Sequence, residues 1–197
     1  MSAIAKPAGW ISPEDYVEGE RASEVRHEYV DGYVYAMAGA SDDHNRISRI
    51  ILTNLDNALR GKRCEPFGSD MKLKIPPTFA DVFYYPDAFV TCDPADNAKY
   101  YRERPTVIFE VISPETERTD RREKAIAYRQ IPTIEAYILV EQDRMAMTVL
   151  RRADPGWQSE TLEGPNAILK LPVIGVEIPL DRIYERTALA GAAPSPR

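Results

Sequence analysis

The stretch Thr106-Val-Ile-Phe-Glu-Val-Ile-Ser113 constrains the fold more than any other part of the chain. Side chains alternate faces along an extended strand, so Val107, Phe109 and Val111 point one way and Ile108, Glu110 and Ile112 the other. Apolar residues on both faces predict a central strand that is covered on both sides. Glu110 then becomes a carboxylate set among isoleucines. Burying such a charge is costly unless a cation or strong donors satisfy it, so this strand predicts a partner for Glu110.

Candidates for that partner lie on either side in the sequence. Before it comes Pro86-Asp87-Ala-Phe-Val. Proline cannot donate to a sheet ladder, so Asp87 is expected at the mouth of a strand running to Thr91. After it, beyond the Ser113-Pro114 turn, comes a third helix over about Asp120 to Gln130 that carries Lys124. Asp120 and Lys124 are four residues apart and share a helical face, which Tyr128 continues. Asp plus Glu at neighbouring strand positions can hold a hard divalent ion through oxygen ligands. A lysine beside them can orient a water or stabilise charge building on a phosphate, and metal-bound water is a nucleophile at neutral pH.

The surrounding sequence predicts a mixed fold. Ser12-Pro13-Glu14-Asp15 opens a short helix, with Ser12 as cap and Pro13 in the first position. Arg26 to Met37 forms a β-hairpin around Asp31-Gly32. Ser41 caps a second helix to about Arg60, with Ile47, Ile51, Leu55 and Ala58 as its buried stripe and Gly61 as its stop. Glu65 to Ile75 holds one or two strands, in which Met71, Leu73 and Ile75 alternate against Lys72 and Lys74. Asp93 to Arg104 is a polar loop. Ile134 to Val140 and Met145 to Arg151 form a hairpin, and Trp157 to Leu162 adds an edge strand. One domain over 1–187 is expected, with a frayed tail over 188–197.

At this point the ordered set of segments resembles a known family. Pro86-Asp87, Glu110-Val111 and a helical lysine are similar to the PD-(D/E)XK nuclease superfamily. More closely, the chain resembles the Uma-type restriction endonuclease family of bacteria, through Arg26-His-Glu-Tyr-Val-Asp-Gly32, His44-Asn45, Tyr85-Pro-Asp87, Glu110-Val-Ile-Ser-Pro-Glu-Thr116, Asp120-Arg-Arg-Glu-Lys124, Tyr128 and Ile134-Glu-Ala-Tyr-Ile-Leu-Val140. The general superfamily lysine would stand two residues after the strand acid, where this chain has Ile112; the Uma-type pattern takes it from the following helix, which matches Lys124. The resemblance implies a restriction-endonuclease-like α/β core, a mixed sheet of about four or five strands with helices on both faces. It also implies Mg²⁺ or Mn²⁺ as cofactor and DNA as substrate. Asp87, Glu110 and the backbone carbonyl of Val111 would hold the metal, Lys124 would position water, and Glu28, the acid of the hairpin segment, would assist.

Other residues carry plainer expectations. His44 in the first turn of its helix is expected to pack or cap, with phosphate contact as the alternative. Asp120 is read as an acid complementing the helix dipole, Tyr128 as core, and Ser113 as a turn residue. Cys64 and Cys92 fit no CxxC pair and no zinc spacing with His27 and His44, and are expected as reduced thiols. No glycine-rich phosphate loop, G-x-S-x-G or H-E-x-x-H occurs. A glycosidase pair at Asp87 and Glu110 lacks an aromatic sugar platform nearby.

Composition sets the outer limits. The net charge of −6 counts against a protein that simply coats nucleic acid, and leaves room for local basic clusters such as Arg118 to Lys124. No apolar run approaches the roughly 20 residues of a membrane span, and the N-terminus lacks an apolar signal core, so a cytoplasmic protein is expected. The leading expectation is a metal-dependent DNA endonuclease; the alternatives are a catalytically silent nuclease-like interaction module and a nuclease acting on RNA or branched DNA. A homodimer is the default expectation, with the strand from Met145 as a candidate outer edge.

Overall fold

The computed structural model describes residues 9–37, 39–76, 81–114 and 116–190, so the expectation for the extreme N-terminus lies outside the described residues. Helix α1 spans Pro13–Glu20, with Ser12 Oγ accepting from Asp15 N at 3.0 Å. Strands β1 (His27–Val30) and β2 (Tyr33–Ala36) form the expected hairpin. Asp31 and Gly32 both have positive φ, 49° and 92°, as the tight two-residue turn requires. A side chain at Gly32 is also excluded by Trp10, whose ring would lie 1.9 Å from an added Cβ.

Helix α2 covers Asp42–Leu59, with Ser41 Oγ accepting from His44 N at 3.1 Å. Ile47, Ile51 and Leu55 are wholly buried; Leu59 joins them and Ala58 packs at the margin. The Glu65 to Ile75 stretch divides into β3 (Glu65–Gly68) and β4 (Lys72–Ile75). Next come β5 (Val82–Tyr84), β6 (Ala88–Thr91), β7 (Tyr101–Arg102) and β8 (Pro105–Ile112), in which all eight residues are buried. The third helix begins as a π-helical turn, Thr119–Lys124, and continues as α3, Ala125–Arg129. Strands β9 (Ala136–Glu141), β10 (Ala146–Arg152), β11 (Trp157–Glu163), β12 (Ile168–Leu171) and β13 (Val176–Pro179) follow, then the short α4 (Leu180–Ile183).

The main sheet is mixed and runs β11-β10-β9-β8-β6-β3, with β8 and β9 parallel and the other pairs antiparallel. Two buried clusters lie on its two sides. Val107, Phe109 and Val111 pack with Ile47, Ile51 and Leu55 of α2 and with Leu169, Ile178 and Ile183. Ile108 and Ile112 pack with Ala125 and Tyr128 of the third helix and with Leu73, Ile75 and Tyr84 of a second sheet, ordered β2-β1-β5-β4-β7. The double covering expected for β8 is therefore present, but a second sheet supplies part of it where helices alone were expected.

Several expectations need correction. Cys64 and Cys92 are not free thiols: they form a disulfide. They stand one step beyond the Glu65↔Thr91 register pair of β3 and β6, which brings their Cα atoms to 4.1 Å. The alternation in β4 leaves Lys72 buried as well, 7% exposed, with Nζ donating to the Tyr85 hydroxyl at 3.3 Å. Strand β10 is not an outer edge, because β11 pairs along its whole length. The polar loop contains β7, which joins β4 in parallel. Hydrogen-bonded turns continue to Ala190, and Leu189 packs against the core, so order extends past Ala188; the rest of the tail lies outside the described residues. Among the described residues, no helix is long and apolar enough to cross a membrane.

Candidate active site

The chemistry-bearing side chains converge where the two sheets, the π-helical turn and the start of α2 meet. Glu110 sits mid-way along β8 on the face turned toward the second sheet and is 3% exposed. Its Oε1 accepts from the Tyr128 hydroxyl at 2.7 Å and from Lys124 Nζ at 3.2 Å. Lys124 Nζ also lies 3.1 Å from Glu28 Oε1 and 3.2 Å from Asp120 Oδ1. Those two oxygens are within ion-pairing distance but lack hydrogen-bond alignment, and they are buried without another partner. One ammonium thus serves three carboxylates.

Local structure accounts for this arrangement. The inward face of β1 carries Glu28 and Val30, while Tyr29 turns the other way into a cluster with Tyr16 and Phe83. The π-helical turn brings Asp120 and Lys124 to the same point, and such turns recur at functional sites. Tyr128 is both core and ligand: its ring packs edge-on against Tyr84 and Tyr137 while its hydroxyl holds Glu110.

Asp87 lies directly before β6, at the strand mouth. Ala88↔Phe109 is the last register pair between β6 and β8, and just beyond it the Val111 N–H donates to Asp87 Oδ2 at 2.7 Å. His44 Nε2 stands 3.3 Å from the same oxygen, and His44 Nδ1 lies 3.5 Å from Ser48 Oγ.

Electrostatics follow from burial and this crowding. Burial pushes the Glu110 carboxyl well above the usual carboxylate range; Lys124 opposes the shift, and Asp120 and Asp87 reinforce it. Burial works against the Lys124 ammonium, but Glu110, Glu28 and Asp120 outweigh it and hold its pKa well above the ordinary lysine value. The lysine stays charged, with three carboxyl groups crowded around its single ammonium. For His44, burial opposes the charged imidazole, and Asp87, with Asp120 and the Val111 backbone, raises its pKa overall. Burial and the adjacent Glu110 push the Tyr128 hydroxyl well up, so it remains a donor.

Glu28 and Glu110 meet at Lys124, while Asp87 stands apart from that ammonium, bonded to the Val111 N–H and acting on Glu110 through its charge. Three further residues join them. Asp120 is 2% exposed and faces Lys124, which its role as a helix-dipole acid did not predict; the i, i+4 spacing to Lys124 was the available signal. Tyr128 was visible on the same helical face. His44 touches Asp87 through tertiary packing that no sequence spacing encodes. Ser113 behaves as expected, exchanging turn hydrogen bonds with Thr116.

The donor set can be tested against a divalent ion. Among the described residues, no three His, Cys, Asp or Glu side chains form a cage that would hold a metal unaided. Mg²⁺ commonly takes one or two carboxylates and completes its shell with water and substrate phosphates, so Asp87, Glu110 and a main-chain carbonyl fit that habit.

A mixed sheet with helices on both sides and buried acids around a lysine defines a protein with the restriction-endonuclease-like fold. The chain belongs to the Uma2 family, described as “Putative restriction endonuclease”, whose profile matches residues 13–181. It is 35% identical over 180 residues to the Synechocystis protein “Uncharacterized protein slr1290”, covering 90% of this chain and 93% of that one. It is 28% identical over 161 residues to “Uncharacterized protein sll1609” of the same organism, covering 80% and 90%. A crystal structure of a “putative nuclease belonging to DUF820” from Anabaena variabilis superimposes with a TM-score of 0.68 at 16% identity, over 83% of this chain and 92% of that one. At that identity the likeness speaks to the fold.

Proposed function

We propose that this protein is a Mg²⁺- or Mn²⁺-dependent endonuclease that hydrolyses phosphodiester bonds in DNA. The observation that carries this reading is the charge balance at Lys124, where one ammonium faces Glu28, Glu110 and Asp120 in a buried setting. Burial and like charge favour the protonated form of such a carboxyl, and a bound cation favours the ionised, ligating form instead. Asp87, Glu110 and the carbonyl of Val111 would hold the ion. When bound, such an ion polarises a phosphate oxygen and makes water a stronger nucleophile at neutral pH.

The chain's own groups have separate tasks in this reading. Lys124 keeps its proton and donates toward water or toward oxygen that gains charge in the transition state. Glu28, whose side chain is 19% exposed against 4% for Glu110, is the more open carboxylate and orients the attacking water. Tyr128 fixes the Glu110 carboxylate through Oε1. Arg118, at the cap of the segment, and Arg122 within it supply local positive charge for phosphates beside Lys124, while Arg121 is already paired with Glu117 and Glu141. Acting on DNA, the protein would work in the cytoplasm.

The test is cleavage of supercoiled plasmid DNA with Mg²⁺ or Mn²⁺ by the full chain and by Asp87→Asn and Glu110→Gln. Both substitutions abolish cleavage, while far-UV circular dichroism and melting temperature report a retained fold. Equal cleavage by wild type and both variants refutes the reading.

A second reading, a catalytically silent nuclease-like interaction module, is favoured by the net charge of −6, which opposes a polyanionic substrate. Calorimetric titration with Mg²⁺ or Mn²⁺ separates the two, because a silent module requires no metal affinity at Asp87 and Glu110.

A further inference from the structure

Asp87 is the one acid of the site that Lys124 does not hold within ion-pairing distance. One oxygen of it takes a backbone hydrogen bond and lies at ion-pairing distance from a histidine. Val111 N–H donates to Oδ2 at 2.7 Å, and His44 Nε2 stands 3.3 Å from the same atom. A carboxylate only accepts, so the ring nitrogen facing it carries hydrogen. Both contacts fall on Oδ2.

The ring itself is firmly mounted. His44 is the third residue of α2, an 18-residue helix whose Ile47 and Ile51 are buried in the cluster with Phe109 and Val111. Ser41 secures the helix start: its hydroxyl accepts from His44 N at 3.1 Å and donates to Gln142 Oε1 at 2.8 Å. Ser48, one turn on, donates to the His44 carbonyl at 2.8 Å and faces Nδ1 at 3.5 Å. The side chains of His44 and Asp87 are 15% and 14% exposed, so the contact is shielded from competing water.

We propose that His44 is a positioning residue for the metal: its ring, at ion-pairing distance from Oδ2, and the Val111 amide together orient the Asp87 carboxylate that would hold the cation. The role acts through Asp87 and needs no direct contact with substrate. It rests on the metal-dependent reading above and adds a part to it. Partners that orient a ligating carboxylate commonly matter about 10–100-fold in metal affinity, which sets the scale of the effect.

Calorimetric titration of the full chain with Mn²⁺ tests this, using wild type, His44→Ala and His44→Gln. Wild type binds Mn²⁺; His44→Ala weakens binding about tenfold or more; His44→Gln, which can carry an N–H to the same oxygen, recovers most of it. Melting temperatures without metal accompany the titrations, and should His44→Ala unfold, the His44→Gln titration still carries the test through its expected near-wild-type affinity. Equal affinity in wild type and His44→Ala overturns the positioning role and leaves the metal site standing. Equal weakening in Ala and Gln variants also overturns it, since the contact to Oδ2 would then not be what matters. Absence of Mn²⁺ binding by wild type removes the metal site itself, and the role of His44 with it.

Discussion

Tyr128 donates its hydroxyl hydrogen to Glu110 Oε1 at 2.7 Å, the same oxygen that Lys124 Nζ approaches at 3.2 Å. A tyrosine from the helix and a glutamate from the central strand are thereby joined inside the core. The bond matters because Glu110 is 3% exposed, so its carboxyl must find its partners within the protein.

Tyr128→Phe isolates that bond while keeping the ring packing against Tyr84 and Tyr137. A buried hydrogen bond contributes about 0.5–1.5 kcal/mol net, so chemical denaturation should register a loss of at least about that size. Cleavage should fall less than in Glu110→Gln, because the carboxylate remains. A variant as stable as wild type would show that Lys124 alone satisfies Glu110.

Lys72 offers a pH test away from the acidic site. Burial lowers its pKa below the ordinary lysine value, with Glu20 opposing the shift. A lysine whose folded pKa lies below its unfolded value penalises folding while both states are protonated. The penalty is relieved as pH rises from the folded pKa toward the unfolded value, because the unfolded chain then binds more protons. Lys72→Met should therefore gain stability relative to wild type at neutral pH, and the difference should shrink as pH approaches about 10, near the ordinary lysine pKa. Urea melts of both proteins from neutral to alkaline pH measure it; a difference that grows with pH would contradict the sign.

The Cys64–Cys92 bridge closes a loop of sequence separation 28 between β3 and β6. A cross-link over such a loop contributes about 2–4 kcal/mol, chiefly by restricting the unfolded chain. The double variant Cys64→Ala/Cys92→Ala should lose stability in that range. Thiol counting on denatured, unreduced wild type should find neither cysteine free; two reactive thiols would contradict the bridge.

Much of this arrangement was legible along the chain because it is local. The apolar pattern around Glu110 required a doubly covered strand, and Pro86 required Asp87 to stand outside the ladder. Asp31-Gly32 required a tight hairpin, which in turn set Glu28 on one face of β1. The spacing of Asp120, Lys124 and Tyr128 required one helical face. Strands β5 and β7 were hidden because each is too short, three and two residues, to display a period.

Tertiary structure decided what joins across distance. Residues at 28, 110, 120 and 124 meet at one ammonium because two sheets stack and a π-helical turn enters between them. The disulfide exists because β3 and β6 pair antiparallel, which no cysteine spacing announces. Lys72, opposite Leu73 in the alternation of β4, is buried against Tyr85. His44 reaches Asp87 because α2 packs on the opposite side of β8. Periodicity records which face of an element is apolar; only the packed fold determines which polar side chains those faces bring into contact.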